Sequence, residues 1–454
     1  MFMLKPKFCF QRSVHFRFPF SCLKNETQAM PMPRRIMALL SRWSSRVSSV
    51  DVDGEAVYFK IPDNRPGTSG KEMQRLFGHV QKDVKCYSLL VSSGDAIHSA
   101  RFHWGLKDKL LKDLPPQCRL FPMSSFLPNV KDSLIRGYFL QAASPESSDT
   151  TEQLLRQWLQ HEDPLLVCSY SRVNEEDTPR PRWIQNLWND EQNHDIVLTE
   201  APQYHPATLN LINNDVFYSF QEARDVLKKC ADIIPEAASV LEQLPRSGGM
   251  EARSKPDVPV IVLEGLDATG KTTLAESLRD VLGATLLRSP PQCLSPWRAR
   301  FDQEPPILRR AFYALGNYIT AHQICSQTSE TPVIIDRFWH STAAYAIATA
   351  VNGPVCNLPA EGSELYRWPT DLLHPSLVVL LTLDPEERKR RLRDRGQGET
   401  KEEHELDHNR LFRLRVEKAY GRISGPTCIS VDASSSAQQV LQQVLLLIKA
   451  KCHL

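Results

Sequence analysis

None of the 11 cysteines forms a C-x-x-C pair, and their count is odd. Scattered from Cys9 to Cys452, they fit free thiols in a reducing compartment better than a disulfide framework or a thiolate metal site. Long apolar runs are also missing: no stretch of roughly 18 apolar residues occurs, so no membrane insertion is expected. Neither sign of charge dominates. Against 55 Lys and Arg stand 53 Asp and Glu, a net of +2, which argues against a chain built to hold nucleic acid directly through its overall field. No internal repeat is visible. His98, His103, Trp158, Trp183 and Trp188 have no constellation around them and read as packing or surface residues.

What is present is uneven along the chain, and 454 residues exceed one ordinary domain. Residues 1–50 carry nine Lys or Arg against the single acid Glu26 and are rich in Ser and Phe. Within them Ile36, Leu39, Leu40 and Trp43 recur at helical spacing opposite Arg35, Arg42 and Arg46. Such an Arg-rich, acid-poor amphipathic leader predicts a mitochondrial transit peptide. Residues 51–243 read as an N-terminal domain of mixed α/β type and unassigned function, with short strands at Cys86–Ser92 and Leu165–Tyr170. That region ends in a helical pattern from Phe220 to Leu244, capped by Ser219 and kinked or divided at Pro235. Residues 244–257 have the composition of a linker.

From 258 to 454 the pattern becomes alternating strands and helices. Strands are expected at Val258–Leu263, Ala284–Leu287, Val333–Asp336, Leu377–Leu383 and Cys428–Val431. Helices are expected at Thr272–Leu282, Leu308–Cys325, Glu386–Arg395, Leu406–Tyr420 and Ala437–Ala450. Near-continuous apolar strands joined by helices imply a doubly wound parallel sheet covered on both faces, an α/β fold.

Gly265, Leu266, Asp267, Ala268, Thr269, Gly270, Lys271 and Thr272 form a complete G-x-x-x-x-G-K-[ST] string between a predicted strand and a predicted helix. This is the phosphate cradle of a P-loop NTPase. Glycines let backbone N–H groups and the helix N-terminus face the phosphates, Lys271 reaches toward the β- and γ-phosphates of ATP, and the Thr272 hydroxyl suits Mg2+. No base-reading N-K-x-D of a GTPase occurs. Asp336-Arg337 ends the third predicted strand, where this fold places ligands, and a cation there suits a second phosphate facing the first. An acceptor phosphate is already an anion, so arginines and exclusion of water matter more than a base. Arg388, Arg390, Arg391, Arg393 and Arg395 crowd the helix running into Gly396-Gln397-Gly398, the composition of a closing lid. An ATPase or motor, or a scaffold acting through its N-terminal domain, remains open at this stage.

The chain resembles the thymidylate kinase family over about Val258–Leu447. The resemblance rests on EGLDATGKTT at Glu264–Thr273, RRAFYALGNYI at Arg309–Ile319, DRFWHSTAAYAIAT at Asp336–Thr349, PEERKRRLRDRG at Pro385–Gly396 and VDAS at Val431–Ser434. It implies ATP-dependent phosphorylation of a nucleoside monophosphate. Asp267 would meet the acceptor sugar and Arg337 the acceptor phosphate, with Arg298 a second candidate for that phosphate. Phe312 would stack on the base; Asp336, Ser341 and Tyr345 would shape the acceptor pocket. Arg391, Arg393 and Arg395 would approach the transferred group, and a homodimer is a family expectation. Family members carry an arginine after the stacking phenylalanine where Leu315-Gly316-Asn317 stands here, a tyrosine at Phe338 and a glutamine at Ala346. Loss of those base-reading groups implies UMP, CMP, dUMP or dCMP as acceptor more than dTMP.

Overall fold

The computed structural model describes residues 41–62, 71–77, 84–159, 164–173, 182–188, 192–245, 258–326, 330–394, 406 and 408–452. Two sheets organise it. The first begins with the hairpin of β1 (Val47–Val52) and β2 (Glu55–Lys60). Their link, Asp53-Gly54, has φ of 55° and 89°, the left-handed pair a tight two-residue hairpin requires. There follow α1 (Lys71–Phe77), β3 (Cys86–Val91), α2 (Ala96–Asp113), β4 (Arg119–Phe126), β5 (Ile135–Gln141), α3 (Pro145–Leu159), β6 (Leu165–Val173), β7 (Arg182–Leu187), β8 (Asn193–Asp195) and β9 (Val197–Leu198). They build a nine-stranded antiparallel sheet in the order β8-β7-β6-β3-β5-β4-β1-β2-β9. One face packs Phe59, Phe139, Tyr170 and Trp183 against Phe77 of α1; the other packs Tyr87, Leu89, Leu140 and Val167 against α2 and α3. Covered on both sides, central β3 is buried along its whole length, which is why its sequence is a run rather than an alternation.

The leader expected over residues 1–50 overlaps this fold, a correction to its boundary. Trp43 is 5% exposed in the first core, and Val47–Val50 are buried in β1. Arg46 lies buried, its guanidinium donating to Ser125 Oγ (3.0 Å), Ser125 O (2.7 Å) and Ser133 O (2.5 Å). A buried guanidinium with three acceptors belongs to a folded domain. The rest of the predicted leader lies outside the described residues.

Ser219 caps α4 (Phe220–Cys230), accepting from Glu222 N, and Pro235 opens α5 (Pro235–Glu242), so the proline divides the predicted helix. Ile97 and Ala100 of α2, from the first unit, reach the core that these helices enter. Phe220, Leu227, Cys230 and Val240 share one core with Leu308, Leu315 and Ile319 of the second unit, so residues 211–244 join its packing although the sequence reading ends the first domain at 243.

The second sheet holds β10 (Val260–Gly265), β11 (Thr285–Arg288), β12 (Val333–Asp336), β13 (Leu377–Thr382) and β14 (Ile429–Asp432), all parallel, ordered β11-β12-β10-β13-β14. Its helices are α6 (Lys271–Leu282), α7 (Ser295–Phe301), α8 (Pro306–Ser326), α9 (Trp339–Ala350), α10 (Pro385–Asp394), α11 (Arg410–Arg422) and α12 (Ala437–Cys452). One face of the sheet is covered by α8, α9 and α11, the other by α6 and α12. Helix α9 has no counterpart in the sequence reading. It is buried nearly all round, from Trp339 through Ala348, so no amphipathic stripe marks it. The chain winds to β11 and β12 on one side of β10 and to β13 and β14 on the other. That reversal opens a crevice at the carboxyl ends of β10 and β12.

Candidate active site

Gly265 ends β10 at φ 139°, and a Cβ built there would lie 2.5 Å from Leu381 O, so only glycine lets β10 turn while its neighbour β13 stays close. The loop then passes Ala268 at φ 63° and Gly270 at φ 90° before α6 begins at Lys271. Lys271 is 6% exposed, and its ammonium donates back to Leu266 O at 2.6 Å. Burial pulls its amine down from 10.5 to about 7; repulsion by Arg337 adds to the drop, and Asp267, Asp336 and Glu264 oppose it. Phosphate charge at this loop would favour the ammonium form of Lys271.

Thr272, next on α6, donates from its hydroxyl to Asp336 Oδ2 at 3.0 Å. Asp336 ends β12, and Arg337 follows at φ 67°, held by its N–H to Leu263 O at 3.0 Å. That left-handed turn sends the guanidinium across the crevice, where Nη2 meets Asp267 Oδ1 at 2.5 Å and Nη1 donates to Ser341 Oγ at 3.2 Å. Burial favours protonation of Asp267, yet Arg337 and Lys271 outweigh it and hold the carboxyl below its usual range. Beneath them lies Glu264, fully buried, whose role the sequence reading missed. It accepts from Phe338 N (2.8 Å), Ser341 N (3.2 Å), Tyr420 OH (3.3 Å) and the Ser341 hydroxyl. Burial pushes its carboxyl up, and those donors with Arg337 oppose the rise. Its acidic character inside the strand run VIVLEG was the available signal.

Around these groups opens a cavity of about 910 Å³. Seven basic side chains line it (Lys271, Arg288, Arg298, Arg309, Arg310, Arg337 and Arg391) against the carboxylates Asp267, Asp302 and Asp336. Such a surplus suits a polyanion. Ser341 and Tyr345 also line it, with Arg337 6.0 Å above the Tyr345 ring. Arg298 lines it while donating to Tyr313 OH at 3.1 Å. Arg391 of α10 bonds Glu387 Oε1 and Ala433 O, each at 2.9 Å, beside the loop. Ser435, Ser436 and Ala437, after β14, also line it.

Four expected residues do not line the cavity: Gly265 and Leu266 at the start of the loop, Phe312 and Arg393. Phe312 is fully buried, stacked on Phe301 at 4.6 Å and 11°, and is not among the cavity's lining. Its neighbour Tyr313 does line the cavity, since one step along a helix turns a side chain by about 100°. Arg393 is exposed and does not line the cavity, and Arg395 lies outside the described residues. Arg288, Arg309 and Arg310 line the cavity without having been singled out as site residues in the sequence. The space where a later arginine on α8 would sit is filled. A Cβ on Gly316 would stand 2.9 Å from Pro290 Cβ, and buried Asn317 donates to Thr342 Oγ1 (3.1 Å) while accepting from Ser289 Oγ (2.6 Å).

Residues 263–444 match the family model described as Thymidylate kinase. Human UMP-CMP kinase 2, mitochondrial, is 37% identical over 438 residues, covering 93% of this chain and 93% of that protein. A thymidylate kinase of Xanthomonas oryzae is 29% identical over 215 residues, 44% of this chain and 87% of that one. The solved thymidylate kinase of Candida albicans aligns with 42% of this chain and 92% of its own at 22% identity, with a TM-score of 0.33.

Proposed function

This chain belongs to the thymidylate kinase family, and on that premise we propose that it transfers the γ-phosphoryl group of ATP to UMP, CMP, dUMP or dCMP in mitochondrial nucleotide salvage. The carrying observation is Arg337, aimed from the end of β12 across the phosphate loop and tied to both Asp267 and Ser341. A cation in that place serves a phosphate that faces the loop.

The N–H groups of Gly265–Thr272 and Lys271 hold the donor's phosphates, whose charge raises the lysine's affinity for its proton. Arg337, with Arg298 also lining the cavity, holds the acceptor phosphate. Asp267 fixes Arg337 and reaches the acceptor sugar; Glu264 holds Ser341 and the backbone of Phe338 under it. Tyr313 takes the stacking role expected of Phe312, and Arg391 approaches the phosphoryl group in transit. No general base is required, because the attacking oxygen is already anionic. Thr272 and Asp336 present hard oxygen ligands 3.0 Å apart at the cavity wall, a donor set that fits Mg2+ accompanied by phosphate oxygens and water. Such an ion, when bound, would neutralise phosphate charge. The acceptor preference rests on Gly316, Asn317 and Ala346, which remove the base-reading groups suited to dTMP.

We further propose that the catalytic unit begins near Leu211, where the chain joins the second core. The mitochondrial assignment draws on the human relative's name and on seven Lys or Arg among residues 1–40, with Glu26 the only acid there. Among the described residues no helix is long and apolar enough to cross a membrane. The test is ADP release from MgATP with UMP, CMP, dUMP, dCMP, dTMP and AMP, alongside Lys271→Ala and Arg337→Ala. Turnover with uridine or cytidine monophosphates that is lost in both variants supports the reading. ATP binding with no acceptor-stimulated ADP release would overturn it.

A further inference from the structure

Asp215 lies in the connector between the two sheets, in a tight loop where Asn213 has φ 57° and the Asp215 N–H bonds Leu211 O at 3.0 Å. It is 4% exposed, and its Oδ2 makes no hydrogen bond. Arg136, on β5 of the first sheet, brings Nη2 to 3.6 Å from that oxygen. Arg309 and Arg310 of α8 act on the same carboxylate through space, and both line the cavity. Arg310 is 6% exposed and donates to Thr349 Oγ1 at 3.2 Å, whereas the buried Nε of Arg309 has no hydrogen-bond partner. An orphaned buried polar atom costs about 1–3 kcal/mol, and the Nε of Arg309 is one, on a residue that lines the cavity. Burial raises the Asp215 carboxyl, and Arg136 leads the three arginines that oppose the rise.

The position one turn beyond Tyr313 is closed by Pro290 and by the bonds of Asn317. On α8 the guanidinium donors that line the cavity stand one turn earlier, at Arg309 and Arg310. We propose that Arg309 and Arg310 read the carbonyl edge of the acceptor base, and that Asp215, braced by Arg136 of the N-terminal domain, is the positioning residue that sets them. Guanidinium carries donors only, so it suits the O2 carbonyl that uracil and cytosine share; adenine, whose only acceptors are ring nitrogens, has no oxygen to place there. On this account the N-terminal domain completes the acceptor end of the site. The inference rests on the kinase reading.

The test uses the full chain, with KM and kcat measured for UMP, CMP, AMP and ATP in wild type, Asp215→Asn, Arg136→Met, the double variant and Arg309→Met. Asp215→Asn raises the KM of UMP and CMP by about tenfold, the scale of one charge-assisted contact, and leaves the KM of ATP in place. Arg136→Met produces a smaller rise of about threefold. The double variant is no worse than Asp215→Asn alone, because Arg136 acts only through that carboxylate. Arg309→Met narrows the preference for UMP and CMP over AMP. Additive effects in the double variant, unchanged acceptor KM, or an equal rise in the KM of ATP with a lowered Tm would each overturn the proposal. Should Asp215→Asn fail to fold, Arg136→Met, at a 42% exposed side chain, still decides it. A wild type inactive with every monophosphate refutes the kinase reading instead, whereas active enzyme with unmoved variants refutes only this inference.

Discussion

Replacing Lys271 by methionine should change how the stability of the nucleotide-free protein depends on pH. Burial lowers this amine from 10.5 to about 7 in the fold, while the unfolded chain keeps it protonated to about its ordinary value. Between those two values the unfolded state binds one more proton at this position than the folded state. Stability therefore rises with pH across that window, by up to about 1.4 kcal/mol per pH unit and on the order of 5 kcal/mol in all. Below about pH 7 both states carry the charge, and the fold bears the full cost of burying it. Methionine has no such titration. Urea unfolding of both proteins at intervals from pH 7 to pH 10 should show the variant's advantage shrinking steadily as pH rises. Buried groups such as Tyr138, pushed up to about 12, titrate alike in both proteins and cancel in the difference. Nucleotide should reverse the shift, because phosphate charge restores the ammonium. Titration calorimetry of MgATP near pH 8, in two buffers of different ionisation enthalpy, should register uptake of close to one proton by wild type and none by the variant. Parallel pH–stability curves would refute the reasoning.

Phe312→Ala, emptying a stacked core position, should cost about 3–5 kcal/mol in chemical denaturation. Tyr313→Leu should leave stability within about 1 kcal/mol and raise the acceptor KM, and the opposite pattern would restore Phe312 as the stacking residue. Glu264→Gln keeps the shape of the side chain but turns one acceptor of the Ser341 and Tyr420 hydroxyls into a donor. A loss of about 1–3 kcal/mol is expected, with a larger rise in the acceptor KM than in the ATP KM, because Ser341 also receives Arg337. Trp43→Ala should lower stability by about 3–5 kcal/mol, since Trp43 sits in the first core; an unchanged Tm would return it to the leader.

Much of the second unit was legible because its signals are local. Strand runs, the G-x-x-x-x-G-K-T string and the Ser219 cap act within a few residues, where backbone conformation follows from the side chains at hand. Pro235 does divide the helix after Ser219. The lid arginines were less legible, since of those expected to approach the phosphates Arg391 lines the cavity and exposed Arg393 does not. The sequence by itself determined where β10 must turn and why residues 265 and 270 are glycine, and it put Asp336-Arg337 at the end of β12. Only the tertiary structure decided that Tyr313 rather than Phe312 faces the cavity, because Phe301 takes the other side of α8. The same holds for Glu264, whose partners lie 74 or more residues away, for residues 211–244 joining the second core, and for Trp43 entering the first. Local chemistry sets the course of the backbone. Which way each side chain faces, and which charges meet, depends on what packs against it from distant parts of the chain.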